Sequence, residues 1–272
     1  MQNHAHSKRL LAAAGAVALA LAMPGCATTP PPETTGSVTT PTATAPRTEA
    51  DWRRQAETLG ERYRTDPNDG EVAMQYAQAL RGIGQRAQAA AVLEQASIQN
   101  PHNQAVLGAY GRALADVGNY EQALDVLNRA HTPEQPDWRI LSAQGAVLDQ
   151  MGRHEDARRH YSSALNIIPD EPSVLSNLGL SYALSKELPK AEETLRRAAA
   201  KPNAEPKVRQ NLALVIGLQG RFAEAETIAR GDLSLEEAAA NVAYLRQMLL
   251  QQKEFKKAKR PGVSTRPPPA KS

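Results

Sequence analysis

The sequence predicts an all-α protein: about five helix-turn-helix pairs stacked into a right-handed superhelix, with a capping helix at each end. Three observations predict it. Glycine recurs with an alanine five residues later, at Gly84/Ala89, Gly118/Ala123, Gly152/Ala157 and Gly220/Ala225. Successive pairs lie 34 residues apart, except for one double gap in which Lys186 and Ala191 hold the register. Small residues also recur where the two helices of a pair must approach closely. With the turn glycine as position 15, position 8 is Ala77, Gly111, Gly145, Gly179 and Ala213, and position 20 is alanine throughout. Finally, aromatic residues make up only 4% of the chain, which disfavours a β-sandwich.

A helical hairpin repeated every 34 residues resembles the tetratricopeptide repeat. The register gives repeats at 70–103, 104–137, 138–171, 172–205 and 206–232. Large residues fill around the small ones. They are Tyr76, Leu80 and Leu93 in the first repeat, and Leu107, Tyr110, Leu114 and Leu127 in the second. Leu141, Leu148 and Tyr161 follow, then Leu175, Leu178, Tyr182 and Leu195, and finally Leu212, Ile216 and Phe222. Glycine at position 15 suits a tight turn with positive φ. Pro67, Pro101 and Pro169 stop a second helix before the next repeat, and Pro133 and Pro136 serve the second repeat.

The solenoid is expected over 51–252. It starts with a lone helix, Asp51–Arg64, whose Trp52, Ala56, Leu59 and Tyr63 form one apolar stripe. In register, that helix is the second half of a repeat lacking its first half. It ends in a cap over 234–252, where Ser234 and Glu237 make a capping box and Leu235, Val242, Leu245 and Leu249 share a face.

Before the solenoid, residues 1–9 are polar and end in Lys8-Arg9, and Leu10–Met23 is apolar. Fourteen residues fall short of the ~20 that span a bilayer as a helix, so 1–25 is expected to be a secretory signal. The "MPGC" that closes it resembles a bacterial lipobox, with Met23 where leucine is usual. The resemblance implies that Cys26, the only cysteine in the chain, is acylated as the first mature residue. The other reading is ordinary cleavage after Ala20-Leu21-Ala22, leaving a free thiol. Ala27 after the cysteine implies, by the same resemblance, an outer-membrane anchor with the body in the periplasm. Residues 26–50 are expected to be a disordered tether, since Ala27–Ala50 holds nine Thr and five Pro. Residues 253–272 are expected to be a disordered basic tail.

The net charge of +3 is unevenly spread. The signal carries +2 and residues 251–272 carry +6, which leaves the body mildly acidic at −5. That distribution argues against nucleic acid as the main partner, despite a pI near 9.0.

The residues give no catalytic constellation. One cysteine excludes an internal disulfide and multi-cysteine metal sites. His154 and His160 are six apart, whereas a zinc-protease helix needs two histidines four apart. His154 occupies position 17, held elsewhere by Tyr120 and Phe222, and is expected to pack. His102 and His131 lie near repeat boundaries and are expected to meet solvent. There is no GxSxG and no phosphate-binding GxxxxGK[ST]. The expectation is a non-enzyme with no metal, cofactor or small-molecule substrate.

What remains is a partner-binding groove. In such repeats the first helix of each pair lines the concave face through positions 2, 5, 6, 9 and 12. Polar occupants here include Glu71, Gln75, Gln78, Arg81 and Asp149, and above all Arg112, Arg139, Asn177, Lys207, Gln210 and Asn211. Asn177, Lys207 and Asn211 partly resemble a clamp that holds a C-terminal carboxylate. Ser142 and Ala146 stand where its lysine and asparagine would complete it. A plain solvated face is the alternative.

Signal, lipobox, Thr/Pro segment, five repeats and the terminal "DLSLEEAAANVAYLRQML" (Asp232–Leu249) together resemble the TadD family, the tetratricopeptide lipoproteins of tight-adherence (Flp) pilus assembly. The resemblance implies an outer-membrane assembly factor that binds envelope proteins, with the pilus secretin as one candidate, and it carries over no catalytic residues. A periplasmic scaffold for cell-wall enzymes and an accessory that presents substrate to an enzyme remain alternatives.

Overall fold

The computed structural model describes residues 48–258, with side chains as far as Phe255. The expected signal, Cys26, most of the expected tether and the tail beyond Ala258 lie outside the described residues. Among those described there are twelve α-helices and no strand, only an isolated bridge between Thr132 and Gln135.

A first helix, α1 (Glu49–Thr65), is followed by five hairpins: α2 (Gly70–Gly82) with α3 (Arg86–Gln99), α4 (Gln104–Asp116) with α5 (Tyr120–Arg129), α6 (Trp138–Gln150) with α7 (His154–Ile167), α8 (Pro172–Leu184) with α9 (Leu188–Ala199), and α10 (Pro206–Leu218) with α11 (Phe222–Ala229). The cap is α12 (Leu235–Ala258).

The turns are copies of one another. In all five hairpins the position-16 N–H donates to the position-11 carbonyl: Gln85 to Leu80, Asn119 to Leu114, Arg153 to Leu148, Glu187 to Tyr182 and Arg221 to Ile216. This is the helix-ending bond that needs a left-handed residue just before the donor. Gly84, Gly118, Gly152 and Gly220 supply it with φ between 76° and 84°, and Lys186 supplies it at 65°. Repeat 4 therefore keeps the shared turn without glycine.

In the three middle repeats position 8 is glycine and the position-24 side chain lies directly over it. A Cβ on Gly111 would lie 2.5 Å from Leu127, and one on Gly145 would lie 2.6 Å from the Tyr161 ring. In the outermost repeats, alanine fits at Ala77 and Ala213, and both are buried.

The first helix of most repeats is started by a polar residue at a fixed place. Asp69, Asn103, Asp137 and Glu171 each accept backbone N–H groups of the helix they precede. Their 34-residue recurrence is a sequence signal in its own right.

The hairpins stack asymmetrically. The backbones of the first helices α2, α4, α6, α8 and α10 each approach the next in the series, whereas the backbones of α3, α5, α7, α9 and α11 stay apart and meet only through side chains, as where Arg196 on α9 pairs with Glu224 on α11. The first helices are thus the crowded inner layer of a curved stack, and the second helices fan out behind them.

Several expectations need correction. Thr48 caps α1 in a capping box with Asp51, so helix begins at Glu49, inside the segment expected as tether. At the other end α12 runs to Ala258, into the segment expected as tail. Leu235 does not join the packed face of the cap: it opens α12 and is 66% exposed, while Ala238 is buried in its place. The Ser234/Glu237 capping box is present. His131 is half-buried instead of solvated, with its Nδ1 enclosed and its Nε2 3.3 Å from the amide nitrogen of buried Gln144.

Candidate functional site

Positions 2, 6, 9 and 13 fall on one side of each inner helix, because steps of three and four residues return to the same face. That face has two zones. Position 6 lies between neighbouring inner helices and is half-buried in every repeat. Positions 2 and 9 carry the more open side chains.

The position-6 asparagines serve the stack. Asn177 Nδ2 donates to Ser142 Oγ at 3.2 Å, and Asn211 Nδ2 donates to Ser176 Oγ at 3.0 Å. Each bond is a rung between consecutive inner helices. The serine that breaks the clamp resemblance at 142 is thus the asparagine's partner. Lys207 and Gln210 are exposed, and neither makes a side-chain hydrogen bond or ion pair among the described residues.

At the other end of the face, three arginines come from three consecutive inner helices. Arg81 on α2 pairs with Asp116 on α4. Arg139 on α6 is exposed and stacks over the Trp138 ring, 4.5 Å from its centroid. Arg112 on α4 lies between them. It is half-buried and makes no hydrogen bond or ion pair among the described residues. Burial, and next the charge of Arg81, hold its guanidinium below the ordinary arginine value. Arg139 adds to that effect, and Asp137 and Asp116 oppose it. A cation that has lost water and has no acceptor is the group on this face with most to gain from an anion. The stacked Arg139 leaves the edge of its guanidinium open for a bidentate acceptor.

Asp149, read from register as a groove residue, is not one. It is 8% exposed and sits at the joint between repeats 3 and 4. Its carboxylate accepts from the Tyr161 hydroxyl at 3.0 Å and the Ser181 hydroxyl at 2.8 Å. His154 Nδ1 lies 2.8 Å from the same carboxylate. Burial, reinforced by the Asp149 charge, raises the Tyr161 hydroxyl far above the usual phenol range, so it stays a donor. His154 packs as position 17 predicts, and it also ties the turn to this carboxylate.

Among the described residues no group of three or more His, Cys, Asp or Glu side chains could hold a metal, and no helix is long and apolar enough to cross a membrane. Cys26 lies outside the described residues.

Tetratricopeptide-repeat family models match residues 84–145, 142–205 and 208–230. No curated protein matches the chain. Solved structures with the same fold include PilW, described as a widely conserved type IV pilus biogenesis factor. It is 15% identical with a TM-score of 0.60, over 71% of this chain and 91% of that one. A thermophilic tetratricopeptide-repeat protein of Thermus thermophilus is 23% identical with a TM-score of 0.57, over 64% of this chain and 99% of that one. The Cut9–Hcn1 hetero-tetramer of the APC/C supplies a third, 15% identical at 0.60, over 75% of this chain and 40% of that one. At these identities the likeness shows the fold.

Proposed function

The chain is a tetratricopeptide-repeat protein, and from that premise we propose that it is a non-catalytic outer-membrane lipoprotein that holds protein partners in its inner groove while a Flp/tight-adherence pilus apparatus assembles. Proteins built from this repeat generally bind other proteins and act as scaffolds. The observation that carries the groove reading is Arg112: a half-buried guanidinium without an acceptor, flanked by Arg81 and Arg139 on the neighbouring inner helices.

The pilus assignment rests on the TadD resemblance of the whole chain, and on Asp232–Leu249 in particular. A fold neighbour that is itself a type IV pilus biogenesis factor agrees with this reading but shows only the fold. The anchor rests on Cys26 and the lipobox-like residues before it.

In-cell crosslinking with the groove altered tests the first part. Arg112→Glu with Arg139→Glu is expected to weaken capture of the envelope partner while helical content and Tm hold, and full capture by a folded variant overturns the groove. Deleting the gene is expected to remove surface pili and adherence. Normal piliation would overturn the pilus reading and favour a scaffold for cell-wall enzymes. Cys26→Ser is expected to release the protein from outer membranes or to leave the signal uncleaved; unchanged detergent partitioning would refute the anchor.

A further inference from the structure

The row of position-9 side chains along the inner face changes character from end to end. It reads Gln78, Arg112, Ala146, Leu180 and Leu214 on α2, α4, α6, α8 and α10. The first half is polar and ends on the unpaired Arg112. The second half is apolar: Leu180 is half-buried and Leu214 is 40% exposed. Leu184, at position 13 of α8, is 54% exposed. Exposed leucines on an inner face, two and three inner helices along from a cation that lacks its acceptor, make a surface with two kinds of unmet demand.

We infer that the groove takes an extended protein segment in which one acidic side chain is followed, at fixed spacing, by two apolar side chains. This rests on the groove reading above and names the chemistry of the partner. The carboxylate seats on Arg112 and the open edge of Arg139. The apolar residues seat on Leu180 and on Leu214.

The stack itself sets the spacing. Neighbouring helices pack about 8–10 Å apart, and an extended chain advances about 3.3 Å per residue. Arg112 and Leu180 are two inner helices apart, so the first apolar residue follows the acid by about five or six residues. Leu214 is one inner helix further, so the second apolar residue follows the first by about three. Ala146 lies between them and leaves the intervening floor open. A carboxylate fits better than a phosphate dianion. Arg81 is already neutralised by Asp116, and Asp137 lies close enough to Arg112 to act on its charge. The local excess is therefore about one positive charge, which suits one carboxylate.

The test uses the purified full chain and a fluorescein-labelled peptide with one Glu, a Ser/Gly spacer of about five, a Leu, a spacer of about two and a second Leu. Three control peptides replace Glu by Gln, replace both Leu by Ser, or shuffle the same composition. Anisotropy titrations are expected to show binding of the parent and about tenfold weaker binding of the Gln peptide. Arg112→Gln is expected to weaken the parent by a similar factor and to leave the Gln peptide unchanged. Leu214→Ser is expected to couple in the same way to the Leu→Ser peptide, and Tm is measured for each variant to confirm folding. Equal binding of the shuffled peptide, or equal loss for Glu and Gln peptides on Arg112→Gln, overturns the inference. If no peptide binds while the double charge reversal still abolishes capture of the envelope partner, the inferred chemistry fails and the groove stands. If capture also survives the reversal, the groove reading itself has failed.

Discussion

Repeats 1 and 3 both carry a charge at position 12 of the inner helix, and the two charges live in opposite surroundings. Arg81 is exposed and pairs across to Asp116 in the next repeat. Asp149 is buried and gathers Tyr161, Ser181 and His154. The backbone register is the same, so the difference comes from neighbours. Asp149 is met from position 17 by His154, from position 24 by Tyr161 and from position 10 of the next repeat by Ser181. The corresponding residues around Arg81 are Arg86, Leu93 and Ala113, which offer it nothing to bond. Register places a side chain, and three neighbours, one near and two further along the chain, decide whether it meets solvent or becomes part of the core.

The largest expected effect breaks the buried side of that pair. Asp149→Ala strands two hydroxyls in a dry joint and is expected to cost about 3–5 kcal/mol in denaturant melts. Replacing the whole node by apolar groups (Asp149→Leu, Tyr161→Phe, Ser181→Ala) is expected to recover much of that loss, because no donor is then left without a partner. A triple variant no more stable than Asp149→Ala alone would mean that shape, not polar satisfaction, holds the joint.

Next comes the packing that accompanies each charge. Gly145 faces Tyr161 in repeat 3, whereas Ala77 stands in the same place in repeat 1. Gly145→Ala is expected to cost about 1–3 kcal/mol, since the new methyl would press on an aromatic ring held by Asp149. A neutral outcome would show that the Tyr161 ring can move aside without losing its bond.

The exposed member of the comparison should matter least. Arg81→Ala is expected to shift stability by about 0.2–1 kcal/mol, diminishing as salt is raised. A loss equal to that of Asp149→Ala would erase the distinction between the two sites. Smaller and opposite in sign is Lys186→Gly. It relieves a left-handed lysine worth about 1–2 kcal/mol but adds freedom to the unfolded chain, so a net gain of under about 1 kcal/mol is expected in the denaturant midpoint.

What could be read from the sequence follows the same division. The 34-residue register gave the hairpins, the turns and the small residues at position 8, because those depend on backbone geometry that each repeat must reproduce by itself. It even located the turn at Lys186, where the usual glycine is missing. Features that depend on two repeats at once were not legible. The Asn177–Ser142 and Asn211–Ser176 rungs looked like ligand donors with an incomplete clamp around them. Asp149 looked like a groove acid. Asp170, left-handed at φ 63° and bonded to Arg197 and Lys201, gave no sign, since its partners lie one helix further along the chain. The caps Asp69, Asn103, Asp137 and Glu171 are legible as a polar residue recurring every 34 positions just before each first helix. Arg112 was found by position, but its lack of an acceptor emerges only from the packing around it.

The asymmetry of the stack has a mechanical meaning. A ribbon stitched along one edge and unstitched along the other bends easily in one plane and resists in the rest. The inner helices, linked by asparagine rungs and the Asp149 node, act as the stitched edge. The second helices, whose backbones stay apart and which meet only through side chains such as the Arg196–Glu224 pair, act as the looser edge. A partner drawn along the groove would therefore tighten or open the curl at small energetic cost, because the α9–α11 link that would have to break is an exposed ion pair. The protein would behave as a spring whose stiffness is set along its inner seam.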